Sequence, residues 1–214
     1  MPIVYTKAQI IAELEKCSKD MSTLYTKNFI NYTGKTTDTS EKYTEVIAEW
    51  LLNNFNLFGN IQKITRKSSY KVETHDGKHN PESNRKEEIM AMKIFNQSSL
   101  NILGKVFDYQ TPLKDKQGDE DIVSYNRDIK TVYLLELKRE DSKETMLRCV
   151  LEIYTYSKIL DGDKFLSDFD LPKDTKIKAS PLVFLNGSQH EEMKGNDNKY
   201  LKELIKKFEI GLFY

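Results

Sequence analysis

Residues 118–124 read GDEDIVS and residues 133–139 read YLLELKR, and these two stretches decide the fold. Side chains alternate along a β-strand, so Glu136 and Lys138 point to one face while the leucines beside them point to the other. Asp121 begins the neighbouring strand and can bring a second carboxylate beside Glu136. Mg²⁺ is normally held by one or two carboxylates together with water and phosphate oxygens. The two stretches therefore predict paired strands that end in a site for a divalent cation and a phosphate.

The elements around these strands alternate between helix and strand in a way that is typical of an α/β core. The predicted helices of this part cover residues 82–98, 142–160 and 198–208, and the predicted strands cover residues 105–110, 121–125, 131–138, 181–185 and 209–214. Ser142 is the predicted N-cap of the long helix, with Glu144 in its first turn. We therefore expect an α/β core over residues 82–214.

The first 80 residues form an addition to this core. Apolar residues recur at helical spacing over residues 7–31 and again over residues 41–55, which predicts two helices. Residues 62–71 are basic and predict an extended segment or a hairpin, and residues 75–84 predict a turn-rich loop. At 214 residues, the chain has the length of one domain, with residues 1–80 as a helical and extended addition.

The charge balance argues against binding nucleic acid by bulk electrostatics. Lys and Arg together number 33, as do Asp and Glu, so the net charge is zero, whereas proteins of that kind are usually basic. A local basic face remains compatible with neutrality. The sequence contains no stretch resembling a membrane span or a signal peptide, so we expect a cytoplasmic protein with no membrane partner.

The order of an aspartate, an apolar strand, a hairpin and then Glu-x-Lys resembles the PD-(D/E)XK nuclease superfamily. The resemblance covers residues 82–160 well and residues 179–214 more loosely, and residues 1–80 resemble no family. One departure is that Glu120 stands where the motif has proline, directly before Asp121. Glu-x-Lys alone is a weak signal, but its combination with Asp121 and the order of elements is more specific.

The resemblance implies a restriction-endonuclease-like core, a central mixed sheet flanked by helices. It further implies a nuclease that hydrolyses DNA phosphodiester bonds with Mg²⁺ or Mn²⁺. Asp121 and Glu136 would be metal ligands, the backbone carbonyl of Leu137 a further ligand, and Lys138 the catalytic lysine. Lys138 would orient or deprotonate the attacking water, or neutralise charge on the phosphate.

In this superfamily a helix before the core often adds a glutamate to the metal site, and Glu87 and Glu88 occupy the matching positions. Both fall toward the apolar side of the predicted helix, where an unpaired carboxylate is costly. We slightly prefer Glu88 as the catalytic and metal-binding residue. The alternative is that either glutamate is only a first-turn residue favoured by the helix dipole.

The helix after the lysine strand carries a polar line, Arg148, Glu152 and Tyr156, with a spacing of four residues. The line resembles the Gln-x-x-x-Tyr motif of the exonuclease branch, with Glu152 in place of glutamine. This implies that Arg148 contacts phosphate while the other two orient the site. The equally weighted alternative is an exposed ion pair beside a packed tyrosine. The predicted buried stripe of the same helix consists of Leu147, Val150, Leu151 and Tyr154.

The basic run over residues 62–71 is a second candidate for substrate binding. Lys63, Arg66 and Lys67 could follow a nucleic-acid backbone, with Tyr70 between basic side chains. A run of charge is more often a solvated face, so both interpretations stay open.

The sequence thus favours a metal-dependent DNA nuclease, with RNA as an open alternative substrate and a homodimer as an open assembly. The leading alternative is a catalytically inactive nuclease-like fold that binds nucleic acid or protein. A third is a structural or interaction protein whose loops and N-terminal helices do the work. Cleavage specificity and biological role leave no trace in the sequence, and a role in defence against foreign DNA rests on analogy alone.

Overall fold

A computed structural model describes residues 4–78, 85–113 and 119–214 of the chain. Within these residues the chain forms seven α-helices, five strands and three 3₁₀ helices. The α-helices are α1 (Lys7–Cys17), α2 (Tyr43–Asn53), α3 (Lys86–Asn96), α4 (Met146–Ile159), α5 (Gly162–Asp168), α6 (Ser188–Lys194) and α7 (Lys199–Lys207). The strands are β1 (Ser99–Leu100), β2 (Gly104–Pro112), β3 (Asp119–Asn126), β4 (Thr131–Leu137) and β5 (Lys176–Leu182). The 3₁₀ helices are Met21–Thr26, Asn28–Asn31 and Phe55–Asn60.

The five strands form one mixed sheet in the order β1-β2-β3-β4-β5. The first four are antiparallel neighbours, whereas β5 runs parallel to β4. A parallel pair needs a crossover connection, and α4 and α5 lie in the segment that supplies it. The predicted α/β class is confirmed as a five-stranded mixed sheet flanked by helices.

Both faces of the sheet are covered, and this explains why every residue of β4 is buried. Val132 and Leu134 of β4 belong to the main core together with the buried side of α4. Tyr133, Leu135 and Leu137 belong to a second core on the opposite face, which includes Ala91 and Met92 of α3. By the alternation of a strand, Glu136 continues the row that faces α4.

The predicted buried stripe of α4 is confirmed, since all four of its residues lie in the main core. This helix begins later than predicted, at Met146. Its N-cap is Thr145, whose side-chain oxygen accepts a hydrogen bond from the backbone N–H of Arg148, and not Ser142. Residues 142–145 therefore form a loop that leads into the helix, and Glu144 lies in this loop.

The N-terminal addition packs on the main core and is interrupted more often than its sequence pattern indicates. The prediction of one helix over residues 7–31 is wrong, because α1 ends at Cys17 and two 3₁₀ helices follow it. The carboxylate of Asp20 caps the first of these by accepting from the backbone N–H of Ser22. The second predicted helix is confirmed as α2, which packs against α7.

Several other boundaries differ from the predictions. Residues 62–71 form no strand or hairpin, only an isolated bridge between Ile64 and Leu160. The expected C-terminal strand is an isolated bridge between Leu182 and Phe213, and β5 begins earlier than predicted. Residues 79–84 of the expected loop and helix, and residues 114–118 of the expected loop before β3, lie outside the described residues. No helix among the described parts of the chain is long and apolar enough to cross a membrane.

Candidate active site

Asp121 and Glu136 lie side by side on neighbouring strands. The antiparallel register pairs Ile122 of β3 with Leu135 of β4, so the next residues along the ladder, Asp121 and Glu136, oppose each other. Both side chains lie on the face that α4 covers, and both are buried, with 8% and 6% of their surface exposed. The structure therefore brings together the two carboxylates that the sequence proposed as metal ligands.

Lys138 follows directly after β4, and its ammonium group is surrounded by carboxylates. Its Nζ atom lies 2.6 Å from Glu136 Oε1, 2.8 Å from Glu144 Oε2 and 3.3 Å from Glu152 Oε2. The lysine side chain is only 6% exposed. Contacts this short in a buried place are strong, because water neither screens them nor competes for them.

Glu144 was missed as a site residue by the sequence analysis. It sits in the loop before α4, and its Oε1 atom is 2.7 Å from Arg148 Nε while its Oε2 atom contacts Lys138. A glutamate four residues before an arginine is the favourable order for such a pair, and this spacing was a signal available in the sequence. The pairing of Arg148 is thus with Glu144 and not with Glu152.

These side chains form one charged cluster, which consists of Asp121, Glu136, Glu144, Glu152, Lys138 and Arg148. Asp121 comes from β3, and Glu136 and Lys138 come from the end of β4 and the residue just after it. Glu144 comes from the loop before α4, and Arg148 and Glu152 come from α4 itself. Four carboxylates face two cations, which leaves two negative charges uncompensated when all groups are ionised.

Asp121 is held by hydrogen bonds from both sides. The backbone N–H of Leu137 donates to Oδ2 at 2.8 Å, and the side-chain amide of Gln110 donates to Oδ1 at 2.5 Å. Gln110 has a φ of +48°, in the left-handed region that a residue with a β-carbon seldom adopts in a strand. This backbone conformation occurs at the point of β2 that faces Asp121, and such outliers cluster at functional sites.

The two strand carboxylates have strongly raised pKa values. Burial raises the pKa of Asp121 to about 7, and the opposing charge of Lys138 and the N–H of Leu137 limit that rise. Burial also raises the pKa of Glu136 well above its usual range, and the negative charges of Asp121 and Glu152 add to the effect. Each carboxylate therefore ionises reluctantly in the cluster as it stands.

The pKa of Lys138 is shifted upward, so the side chain keeps its proton. Burial alone would lower the pKa of this lysine, but the negative charges of Glu136, Glu152 and Glu144 outweigh burial and raise the pKa above its usual value. With these carboxylates around it, Lys138 is an ammonium group at neutral pH. It can donate hydrogen bonds and stabilise negative charge, whereas removing a proton from water would require a neutral amine.

The remaining members of the polar line lie beside Lys138. The hydroxyl of Tyr156 donates to Glu152 Oε1 at 3.3 Å, and both residues are buried. Burial raises the pKa of Tyr156, and the charges of Glu152 and Glu136 raise it further. Glu152 and Tyr156 are therefore internal, and the alternative of an exposed ion pair does not describe them.

The structure distinguishes the two glutamates at the start of α3. Glu88 forms an ion pair with Arg85 at 2.9 Å. Burial is the main cause of the raised pKa of Asp121, and the negative charge of Glu87 is one of the smaller causes that raise it. Since Glu88 pairs with Arg85 and the charge acting on Asp121 is that of Glu87, we now favour Glu87, and the choice between the two stays a prediction.

The basic run contacts the end of β2 through Arg66. Arg66 donates through Nη1 to the carbonyl of Pro112 at 2.7 Å, and its guanidinium lies 5.7 Å from the ring centre of Tyr70. Lys63 and Lys67 are exposed. Among the described residues, no contact joins residues 62–71 to the charged cluster. Arg66 joins this segment to the end of β2, and a role for the run in substrate binding stays a prediction.

A divalent cation is the ion that the charged cluster would hold. No three His, Cys, Asp or Glu side chains within residues 4–78, 85–113 and 119–214 form a group that could hold a metal ion. Three of the carboxylates contact Lys138 instead. The donor set nevertheless fits Mg²⁺ or Mn²⁺, since such ions need one or two carboxylates and take their other ligands from water and phosphate. A divalent cation would also match the two uncompensated negative charges.

Comparison of the chain with protein-family models, with curated proteins and with solved structures gives no match. The resemblance to the PD-(D/E)XK superfamily thus depends on the residues of the charged cluster and on the order of the elements that carry them.

Proposed function

We propose that this protein is a metal-dependent nuclease of the PD-(D/E)XK type that hydrolyses phosphodiester bonds of DNA with Mg²⁺ or Mn²⁺. The observation that carries the proposal is the pairing of Asp121 with Glu136 on adjacent strands, with the Lys138 ammonium 2.6 Å from Glu136. Two buried carboxylates with raised pKa values are costly to keep charged, and a bound cation would offset that cost.

The architecture supports the same proposal. Four antiparallel strands, a crossover through α4 and α5, and a fifth strand parallel to β4 are compatible with the mixed sheet flanked by helices that the resemblance implies. The negative charge of Glu87, on the helix before the sheet, α3, acts on Asp121, which supports the glutamate that the resemblance implies for this helix. A restriction-endonuclease-like core is accordingly the fold that we propose within the α/β class.

Each residue has a distinct part in the proposed site. Asp121 and Glu136 would bind the cation, with the carbonyl of Leu137 as a further ligand and Glu87 acting from α3. Lys138 would donate hydrogen bonds to a phosphate oxygen or to the attacking water, and would stabilise the negative charge that develops there. When bound, the metal would polarise the phosphate and lower the pKa of a bound water.

The alternative is a nuclease-like fold that binds nucleic acid or protein without catalysis. One observation favours it: Lys138 already contacts three carboxylates, so the charged cluster can exist as a closed internal ion network. A network of this kind needs no metal, and removing one partner would destabilise the fold. The two proposals therefore differ in what Lys138 and the carboxylates do when Mn²⁺ is added.

The direct test is cleavage of linear double-stranded and single-stranded DNA by the purified chain. We expect cleavage with Mg²⁺ or Mn²⁺, no cleavage with EDTA, and none with Ca²⁺, because its looser shell positions the water badly. Lys138→Ala and Asp121→Ala should abolish the activity. Lys130→Ala is the matched control, since Lys130 is exposed, precedes the same strand and pairs with Asp174.

The control variants also identify a contaminant. Equal cleavage of DNA by the preparations of wild type, Lys138→Ala and Lys130→Ala would mean that the activity belongs to another protein. The alternative of a binding fold without catalysis would then be favoured. If wild type and Lys130→Ala cleave DNA but Lys138→Ala does not, the catalytic proposal stands. RNA tested in parallel then decides the substrate.

A further inference from the structure

The N-terminal addition reaches the charged cluster through Tyr25. This residue lies in the 3₁₀ helix Met21–Thr26, which packs against α4. Its ring meets the ring of Tyr156 edge to face, with centroids 5.6 Å apart and planes inclined by 79°. Edge-to-face pairs are favourable because the positive ring edge meets the negative ring face.

A continuous chain of contacts leads from Tyr25 to the lysine. Tyr25 packs on Tyr156, whose hydroxyl donates to Glu152 Oε1 at 3.3 Å. The other oxygen of Glu152 lies 3.3 Å from Lys138 Nζ. Burial raises the pKa of Tyr25, and the charges of Glu152 and Glu136 raise it further, so the phenol lies within electrostatic reach of the cluster.

The segment that carries Tyr25 is anchored at two further points. Its neighbours Met21 and Leu24 are buried in the main core. Just beyond it, Asn31 Oδ1 accepts from the backbone N–H of Thr145 at 2.7 Å, and the Thr145 hydroxyl donates to the carbonyl of Ile30 at 3.0 Å. The N-terminal addition is thus hydrogen-bonded to the start of α4. This helix supplies Arg148, Glu152 and Tyr156.

We propose that Tyr25 is a positioning residue of the active site, which holds Tyr156 and through it the carboxylate of Glu152 against Lys138. This inference rests on the proposed function, and it assigns the N-terminal addition a part in the catalytic site instead of a purely supporting role. The polar line on α4 would be fixed from both sides, by Lys138 on the sheet and by Tyr25 on the addition. Residues acting at this distance commonly change activity or metal affinity roughly 10- to 100-fold when removed.

The kinetic test compares Tyr25→Ala and Tyr25→Phe with wild type. We expect Tyr25→Ala to lower kcat by about 10- to 100-fold at unchanged KM, because the lysine is misplaced while the substrate surface is intact. Tyr25→Phe keeps the edge-to-face packing and should recover most of the loss. Tyr43→Phe is the control: it removes a buried hydroxyl that accepts from Tyr5 N–H at 2.8 Å, within the same addition. It should leave kcat unchanged.

A second measurement separates this inference from the proposed function. In a cycle of Tyr25→Ala, Glu152→Gln and the double variant, the melting temperatures should be non-additive by about 2 °C or more, as expected for coupled residues in a protein of this size. Additive changes overturn the positioning role whether or not the protein cleaves DNA. A kcat equal to that of wild type in Tyr25→Ala also overturns it. Non-additivity in a protein without cleavage retains the positioning of Glu152 and refutes the nuclease alone.

Discussion

Asp121→Asn is the substitution for which the structure gives the most definite expectation. Burial raises the pKa of Asp121 to about 7, compared with about 3.9 for an unperturbed aspartate. The folded protein therefore binds this proton more tightly than the unfolded chain does, and ionising Asp121 lowers the free energy of unfolding. The loss begins above about pH 4, grows as the pH rises toward about 7, and is complete at higher pH.

The magnitude follows from the same difference. About three pKa units at 1.36 kcal/mol each correspond to about 4 kcal/mol of lost stability above pH 7. Asparagine removes this cost, but it weakens the hydrogen bonds from Leu137 N–H and Gln110, at about 1–2 kcal/mol. We therefore expect Asp121→Asn to be more stable than wild type by about 2–3 kcal/mol at pH 8 without metal. For a chain of this length that is a rise in melting temperature of roughly 4–12 °C.

The assay is urea and thermal unfolding in EDTA between pH 4 and 9. The difference between Asp121→Asn and wild type should vanish or change sign near pH 4, where the wild-type carboxyl is protonated. Asp174→Asn is the matched control, because Asp174 is exposed and its hydrogen bond with Lys130 lowers its pKa, so its replacement should bring no gain at high pH. A destabilised Asp121→Asn protein at pH 8, or a difference that does not change with pH, would refute the argument.

Three further predictions test the site and its surroundings. Mn²⁺ at about 100 times its Kd should stabilise the wild type by about 2.7 kcal/mol, which corresponds to a rise of roughly 5–10 °C in the melting temperature. The melting temperature of Asp121→Asn should not change, and equal shifts in both proteins would mean that Mn²⁺ binds elsewhere. Thr145→Ala removes both the N-cap of α4 and the hydrogen bond to the carbonyl of Ile30, and it should cost about 1–3 kcal/mol in urea unfolding. An unchanged midpoint would contradict these contacts. Arg66→Ala should destabilise the fold by about 1–2 kcal/mol, because it loses the hydrogen bond to Pro112, whereas Lys67→Ala, at an exposed position, should leave the stability unchanged. Weaker DNA binding by Lys67→Ala at unchanged stability would show that the basic run contacts the substrate.

The parts of the site that depend on strand geometry were predictable from the sequence. Alternation along β4 put Glu136 and Lys138 on one face, and Asp121 at the start of the adjacent strand follows from the hairpin between them. Glu152 and Tyr156 could be grouped with these residues because helical spacing and a motif resemblance pointed the same way. Local periodicity carries this information, since it depends only on neighbours in the chain.

The parts that depend on distant packing could not be predicted. Tyr25 reaches the cluster from a 3₁₀ helix more than a hundred residues before Tyr156 in the chain, and helical periodicity over residues 7–31 concealed the break at Cys17. Gln110 meets Asp121 only because β2 pairs with β3 in one register. The choice of Glu87 over Glu88 depends on how α3 is rotated, and Arg85 takes part by pairing with Glu88.

The most direct test of the central claim is the anomalous diffraction of Mn²⁺ in crystals of the protein. If the two carboxylates bind the ion, we expect a peak between Asp121 and Glu136, with carboxylate oxygens at about 2.0–2.6 Å from the ion and a longer contact between Lys138 and Glu136. Absence of a peak there at millimolar Mn²⁺, with Lys138 still bonded to all three glutamates, would contradict the metal site and leave the charged cluster as a structural ion network.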